Sequence, residues 1–349
     1  MRNKVVIFGL DTFAKKNTYQ LKCVIKNNFE LIVFTNDTLK SSQKFINKKN
    51  LFILEKNFFN RMWQIFIFLI KNSKHIHHIE IYPGGRFSTF YLLMSKLFKL
   101  KTIIVERGDL LYWEQYNSLY KFFLKNLYKK GNAVWYREPY MKKILTKFGV
   151  KQLFFLYNCI EVKDNNLPRF FERDIDFLWV NRFISERKIK WVINIAKKMP
   201  NKKFVLIGYM KNTFNSDIKK NQLLLDNLDL ENVVVLDYQN PFEYYKRAKF
   251  FLLPSDIVFL NNALLEAMSF GCIPIISDVE GSDEIVKDGY DGFIFEHNYR
   301  SFEEKIKSII KNEKKLNFDT IMYNTFKKIK EKFSCDKWCN KYINFIKSL

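Results

Sequence analysis

The sequence predicts an α/β protein of two domains, each a parallel sheet with helices on both faces. Three observations carry this expectation. The chain has 349 residues, more than one hydrophobic core usually supports. Short apolar runs, Val5-Val6-Ile7-Phe8, Leu31-Ile32-Val33-Phe34, and residues 102–105, 204–207 and 233–236, alternate with longer helical patterns. That is the order of a parallel sheet whose strands are buried on both faces. A polar stretch, residues 162–174 with Asn165, Asn166 and Pro168, separates the halves and reads as an interdomain linker.

Along the first half, Arg2 and Lys4 precede an apolar run that ends at Asp11, too short for a signal peptide and suited to a first strand. The loop Gly9-Leu10-Asp11-Thr12 follows it. Ile79-Glu80-Ile81-Tyr82 is a strand leading to Pro83-Gly84-Gly85-Arg86 and a helix near Ser88. Residues 102–105 form a strand ending at Glu106-Arg107-Gly108-Asp109. A charged loop at a strand end is a place for binding groups and equally a structural position.

In the second half, Phe177-Leu178-Trp179-Val180 is a strand that runs through Asn181-Arg182-Phe183-Ile184-Ser185-Glu186-Arg187-Lys188 into a helix over 191–198. A buried strand over 250–253 then meets Pro254-Ser255, a loop, a helix opened by Asn261 or Asn262 and closed by Gly271, and another buried strand. Glu266 is the one acid of that helix. Free N–H groups at a helix start suit phosphate or sugar oxygens, and a carboxylate one turn in can bind paired hydroxyls such as those of a ribose. The same pattern fits a capped helix whose glutamate faces solvent. Residues 278–295 continue as a turn, a short helix, a glycine turn and a strand.

Taken together, residues 176–295 resemble the nucleotide-sugar half of GT-B glycosyltransferases, specifically the large retaining group called glycosyl transferases group 1; before Asn158 the resemblance is weaker. It implies a GT-B fold: two Rossmann-like domains with parallel sheets facing a central cleft. Residues 1–165 would be the acceptor-side domain, with a C-terminal helix over 331–349 crossing back to it, and residues 166–330 the donor domain. Asn158-Cys159-Ile160-Glu161 resembles the Asn-Gly-Val-Asp that commonly closes the first domain. Arg182 and Arg187 stand where the family has the Arg and Lys that hold the donor diphosphate, and both are cations, as two phosphates require. Glu266 stands at the second acid of the family's E-x7-E motif, which is expected to bind the ribose. The first acid falls on Val258, a departure that bears on the donor sugar and the reacting centre; Asp256 lies two residues away in the same loop. The family's glycines beside the two cations are replaced by Asn181 and Lys188.

The resemblance further implies a metal-independent hexosyltransferase that uses a nucleotide diphosphate sugar as donor substrate and needs no cofactor. Arg182 and Arg187 would stabilise the leaving diphosphate, helped by N–H groups of the helix after Phe259, with Leu260, Asn261 and Asn262 at the donor. On the acceptor side the candidates are Gly9, Gly84, Gly85 and Arg86, and Glu106, Arg107 and Asp109, where many members carry a histidine at the position of Arg107. Two alternatives stay open: a GT-B-like protein that binds nucleotide sugar without transferring it, motivated by Val258, and a sugar-nucleotide epimerase.

Composition narrows the setting. No segment has the eighteen or so uninterrupted apolar residues of a membrane span, the nearest being 62–70, which contains Gln64. This places the expected protein in the cytoplasm. Five cysteines, Cys23, Cys159, Cys272, Cys335 and Cys339, show no framework spacing and read as reduced thiols. Lys plus Arg exceed Asp plus Glu by 18 in residues 1–165 (29 against 11) and by 5 in residues 166–349 (30 against 25). Such a basic first half is drawn to anionic lipid, and residues 86–101 and 119–130 mix aromatic and basic side chains as interfacial helices do. Core helices with a solvated lysine face read the same way. The expected partners are a glycan or lipid-linked acceptor and, peripherally, the inner face of an anionic membrane. Nucleic acid is not an expected partner, since there is no helix-turn-helix, zinc-finger or RNP signature and the basic residues are spread through the α/β pattern. Asp174-Ile175-Asp176 matches a metal-binding D-x-D but precedes a strand, where acids are commonly solvated. His75-Ile76-His77-His78 lacks a third ligand, so no metal site is expected.

Overall fold

The computed structural model describes residues 3–10, 15–36, 46–83, 87–106, 108–162, 167–211, 213–226, 230–259 and 261–349. The chain divides into two compact units, Met1–Glu161 with Cys335–Leu349, and Val162–Ser334.

In the first unit, strands β1 (Lys4–Phe8), β2 (Glu30–Thr35), β3 (Leu51–Ile53), β4 (Ile76–Ile81), β5 (Thr102–Val105), β6 (Ala133–Tyr136) and β7 (Leu153–Phe155) pair in the order β3-β2-β1-β4-β5-β6-β7. Every pairing is parallel. Helices α1 (Lys15–Lys26), α2 (Phe58–Asn72), α3 (Ser88–Leu97), α4 (Ser118–Lys130) and α5 (Met141–Lys147) alternate with the strands. Successive strand residues face opposite sides of a sheet, and the core divides accordingly. Val6, Ile79 and Ile104 pack beneath Ile65 of α2, Leu92 of α3, Leu127 of α4 and Leu145 of α5. On the other face Val5, Ile7 and Ile103 meet Val24 of α1 and Trp338 and Ile346 of the C-terminal helix, Cys335–Ser348. Asn57 and Asn117 open α2 and α4, each accepting first-turn N–H groups.

The C-terminal helix returns to the first unit through aromatic and polar contacts. Trp338 and Tyr342 pack on Trp135 at 5.5 and 6.0 Å between ring centres. Glu80, buried in β4, accepts hydrogen bonds from Tyr342 and from Tyr82 (3.2 Å), which satisfy a carboxylate that has left water. The same return joins Cys23 of α1 to Cys339 in a disulfide across 316 residues. The expectation of five reduced thiols is therefore corrected. Linear spacing says nothing about two helices far apart in the sequence that meet only in the tertiary fold, and the free cysteines are Cys159, Cys272 and Cys335.

The second unit has strands β8 (Ile175–Val180), β9 (Phe204–Tyr209), β10 (Val233–Asp237), β11 (Ala248–Leu253), β12 (Ile273–Asp278) and β13 (Phe293–Glu296), in the parallel order β10-β9-β8-β11-β12-β13. Its helices are α6 (Ile189–Lys198), α7 (Ser216–Asp226), α8 (Phe242–Arg247), α9 (Asn262–Ser269), α10 (Ser282–Ile285), α11 (Tyr299–Lys311) and α12 (Phe318–Lys328). Phe177, Trp179, Phe204 and Phe250 fill the core with Phe302 and Phe318 from the helices. Phe170, from the stretch read as linker, is buried in this core and stacks on Phe318 at 4.3 Å. Burial on both faces fails for β10: it is the edge strand, and Val234 and Val235 are exposed. An apolar run does not distinguish an edge strand from a central one.

In each sheet the chain builds outward in one direction, then restarts beside the first strand and builds in the other. The reversal lies between β1 and β4 in the first unit and between β8 and β11 in the second. At such switch points the loops beyond the strand ends part and leave a crevice for ligands.

Candidate functional site

At the second unit's switch point, the loop after β8 and the loop after β11 are tied together by Arg187. It lies in a short 3-10 turn, Ser185–Arg187, and its Nη1 donates to Ser255 Oγ (2.8 Å) and to the carbonyl of Ile257 (2.6 Å). One half-buried guanidinium is thus fixed at the carboxyl ends of two adjacent strands. Arg182 is exposed five residues earlier in the same loop.

Lys188 follows with φ 47° and ψ 39°, a left-handed conformation that costs an L side chain on the order of 1 kcal/mol. This is the position at which the resembling family has glycine. Its ammonium pairs with Asp256 at 2.7 Å, and His297 Nε2 lies 2.6 Å from the same carboxylate. Burial pushes the Asp256 carboxyl up, but Lys188 and His297 outweigh it and hold the group below its ordinary range. Asp256 is therefore engaged on the protein, and Val258, at the position of the missing acid, is fully buried.

Helix α9 is opened by Asn261, whose Oδ1 accepts from the N–H of Leu264 (3.0 Å) while its Nδ2 donates to Asn181 Oδ1 (3.1 Å). Asn181 thereby couples the end of β8 to the start of α9. Gly208 makes room for this arrangement: at φ 131°, a Cβ there would stand 1.9 Å from the Asn181 carbonyl oxygen. Asn262 and Glu266 are half-buried, whereas Leu264, Leu265 and Met268 face the core. Tyr245 of α8 donates to Glu266 Oε2 at 3.4 Å. Burial, then the Glu266 charge, pushes the Tyr245 phenol well above its ordinary value, so it stays a hydrogen-bond donor. Leu260 lies outside the described residues.

In the first unit, Gly9 follows β1 with φ 78°, and a Cβ there would come within 2.4 Å of the Tyr82 carbonyl oxygen after β4. The Glu106 carboxylate is buried and turned into its own loop, accepting from the N–H groups of Gly108 (2.8 Å) and Leu110 (3.0 Å). Gly84, Gly85, Arg86 and Arg107 lie outside the described residues, as does the Asp109 side chain. Asp174 bonds Arg247 (2.8 Å), and Asp176 bonds Lys249 (2.9 Å). Among the described residues no three His, Cys, Asp or Glu side chains gather as a metal would require.

Sequence reasoning missed Tyr245 and His297, whose roles depend on partners 21 and 41 residues away. The signal for Lys188 was present in the glycine position it occupies.

Residues 163–325 match the family described as Glycosyl transferases group 1. The capsular polysaccharide biosynthesis glycosyltransferase CapH of Staphylococcus aureus is 29% identical over 171 residues, 47% of this chain and 47% of CapH, so the chain spans about half the length of that relative. The uncharacterized glycosyltransferase MJ1069 of Methanocaldococcus jannaschii is 26% identical across 96% of this chain and 94% of its own. Among solved structures, Anabaena Alr3699/HepE in complex with UDP superposes with a TM-score of 0.80 over 100% of both chains at 13% identity. The chain thus has the GT-B fold, and its residues 163–325 are similar to the glycosyl transferases group 1 family.

Proposed function

We propose that this protein is a glycosyltransferase that moves a hexosyl residue from a nucleotide diphosphate sugar to an acceptor hydroxyl, in the synthesis of a bacterial surface polysaccharide, lipopolysaccharide or lipid-linked glycan. The observation that carries this reading is the fixing of Arg187 between the ends of β8 and β11, with α9, which carries Glu266, starting beyond the same carboxyl ends of the strands. Arg182 and Arg187 hold the diphosphate and stabilise charge as it leaves, while first-turn N–H groups of α9 add a partial positive field. Glu266, oriented by Tyr245, accepts from the ribose hydroxyls. The bond from the anomeric carbon to the donor phosphate breaks as the bond to the acceptor oxygen forms on the same face. The acceptor proton passes to a donor phosphate oxygen, so no protein nucleophile is used, and the two arginines take the place of a metal. The relatives' capsular and polysaccharide titles support the pathway class, and the basic first half supports a cytoplasmic enzyme peripheral to the membrane. Among the described residues no helix is long and apolar enough to cross a membrane.

Val258 favours a second reading, a protein that binds nucleotide sugar without transferring it. The two separate in one assay: the chain is incubated with UDP-, GDP- and ADP-sugars, with and without lipid-linked or saccharide acceptors, and released nucleotide is measured. Acceptor-dependent release in a chelator supports transfer. Tight nucleotide binding with no release under any acceptor supports the second reading.

A further inference from the structure

A cavity of about 490 Å³ opens between α3 and α4 in the first unit, a volume within the rough 300–1,000 Å³ range of small-molecule pockets. Its walls are Phe90 and Leu93 of α3 and Leu119, Phe123, Leu124 and Leu127 of α4; polar groups, among them Asn117 and Ser88, are few. Such a lining gives phosphates, bases and sugar hydroxyls little to bond. Several wall residues are open to solvent, Leu93 at 54% and Leu119 at 66% of their surface. The apolar surface continues to Leu97 and Phe122, and across Phe58, which meets Phe90 edge-on at 4.7 Å, toward exposed Phe59 and Trp63 of α2. Neighbouring exposed apolar side chains of this kind, gathered on adjacent helices, mark an interaction site.

Charge identifies the occupant. Helices α2, α3 and α4 contain no Asp or Glu, while α4 alone carries four lysines. Lys96 lies three residues beyond Leu93, and Lys130 seven beyond Phe123, so both continue the stripes that wall the cavity, and both are exposed. Because α3 and α4 each connect parallel strands of one sheet, they run in the same direction and bring these lysines to the same end. A second copy of the chain seated here would set its own lysines against these.

We propose that this cavity takes one acyl chain of an anionic membrane phospholipid, whose phosphate is met by Lys96 and Lys130. The proposal rests on the membrane-peripheral part of the function above and not on its donor site. The test is calorimetric titration of the full chain with monomeric dioctanoylphosphatidylglycerol. Saturable one-to-one binding is expected, with glycerophosphoglycerol, which has no chains, failing to bind. Dioctanoylphosphatidylcholine, or the double variant Lys96→Gln with Lys130→Gln, should bind about tenfold more weakly or worse. Leu93→Glu should abolish binding; Leu119→Gln, at an exposed position that folding does not need, should weaken it severalfold. Nucleotide binding by the same variants reports separately on folding and on the donor site. The proposal is overturned if the headgroup binds as well as the lipid, if both cavity variants bind like wild type, if the choline lipid binds equally, or if only a polyisoprenyl phosphate binds. It is also overturned if light scattering shows a dimer that Leu119→Gln dissociates.

Discussion

Replacing Arg187 separates a ligand-binding cation from a structural tie. Its Nη1 makes two hydrogen bonds, to Ser255 Oγ and the Ile257 carbonyl. Ser255 would keep partners without it, since its Oγ also donates to the Ile257 carbonyl (2.9 Å) and accepts from the Ile257 N–H (3.2 Å). Loss of a half-buried charged donor whose acceptors remain bonded costs about 1 kcal/mol. In a unit of this size that lowers Tm by roughly 2–4 °C. A charge-assisted contact to phosphate is worth more, about 2–3 kcal/mol, so Arg187→Ala should weaken nucleoside diphosphate binding about 30- to 150-fold. Arg187→Lys keeps the charge but not the two-pronged donor, and should fall between. The assay is calorimetric titration of the nucleotide into wild type and both variants, with Tm measured on the same samples. A folded Arg187→Ala protein that binds nucleotide like wild type refutes the assignment and leaves Arg187 a tie between two loops.

Other perturbations have definite outcomes. Val258→Glu restores the family's acid at a fully buried apolar position; it should destabilise by about 3 kcal/mol or more and should not raise transfer, as denaturant unfolding and nucleotide release will show. Gly208→Ala puts a Cβ against the Asn181 carbonyl, so stability and nucleotide affinity should fall together, whereas Tyr245→Phe should weaken nucleotide binding severalfold while leaving the fold intact. Lys198 and Lys307 hold Glu303 down to about 2. A carboxylate depressed in the folded state stabilises above its unfolded pKa and loses that stabilisation as pH falls through the folded value. Stability should therefore decline between about pH 4.5 and 2, and Glu303→Gln should flatten that limb.

The buried strands β8, β11 and β12 and the asparagine-capped start of α9 were legible because burial, periodicity and capping are local. Arg187 was singled out by the family resemblance of the segment after β8, but its attachment to the loop after β11 was not legible, because that contact spans 68 residues. The same limit hid Tyr245 behind Glu266 and the Cys23–Cys339 bond between the chain's two ends. Glu106 shows a different limit. Residue type alone puts a charge at the strand end and does not reveal that the carboxylate accepts from its own loop's N–H groups.

The most direct test of the central claim is thermal denaturation of the full chain with a panel of UDP, GDP, ADP and CMP, with and without a chelator. Binding to the folded state alone raises Tm with ligand concentration. A nucleoside diphosphate held by Arg182, Arg187 and Glu266 predicts a concentration-dependent rise for one of the diphosphates, retained in chelator and lost in Arg187→Ala. No rise with any nucleotide, or a rise that the chelator abolishes, would contradict a metal-independent donor site between β8 and β11.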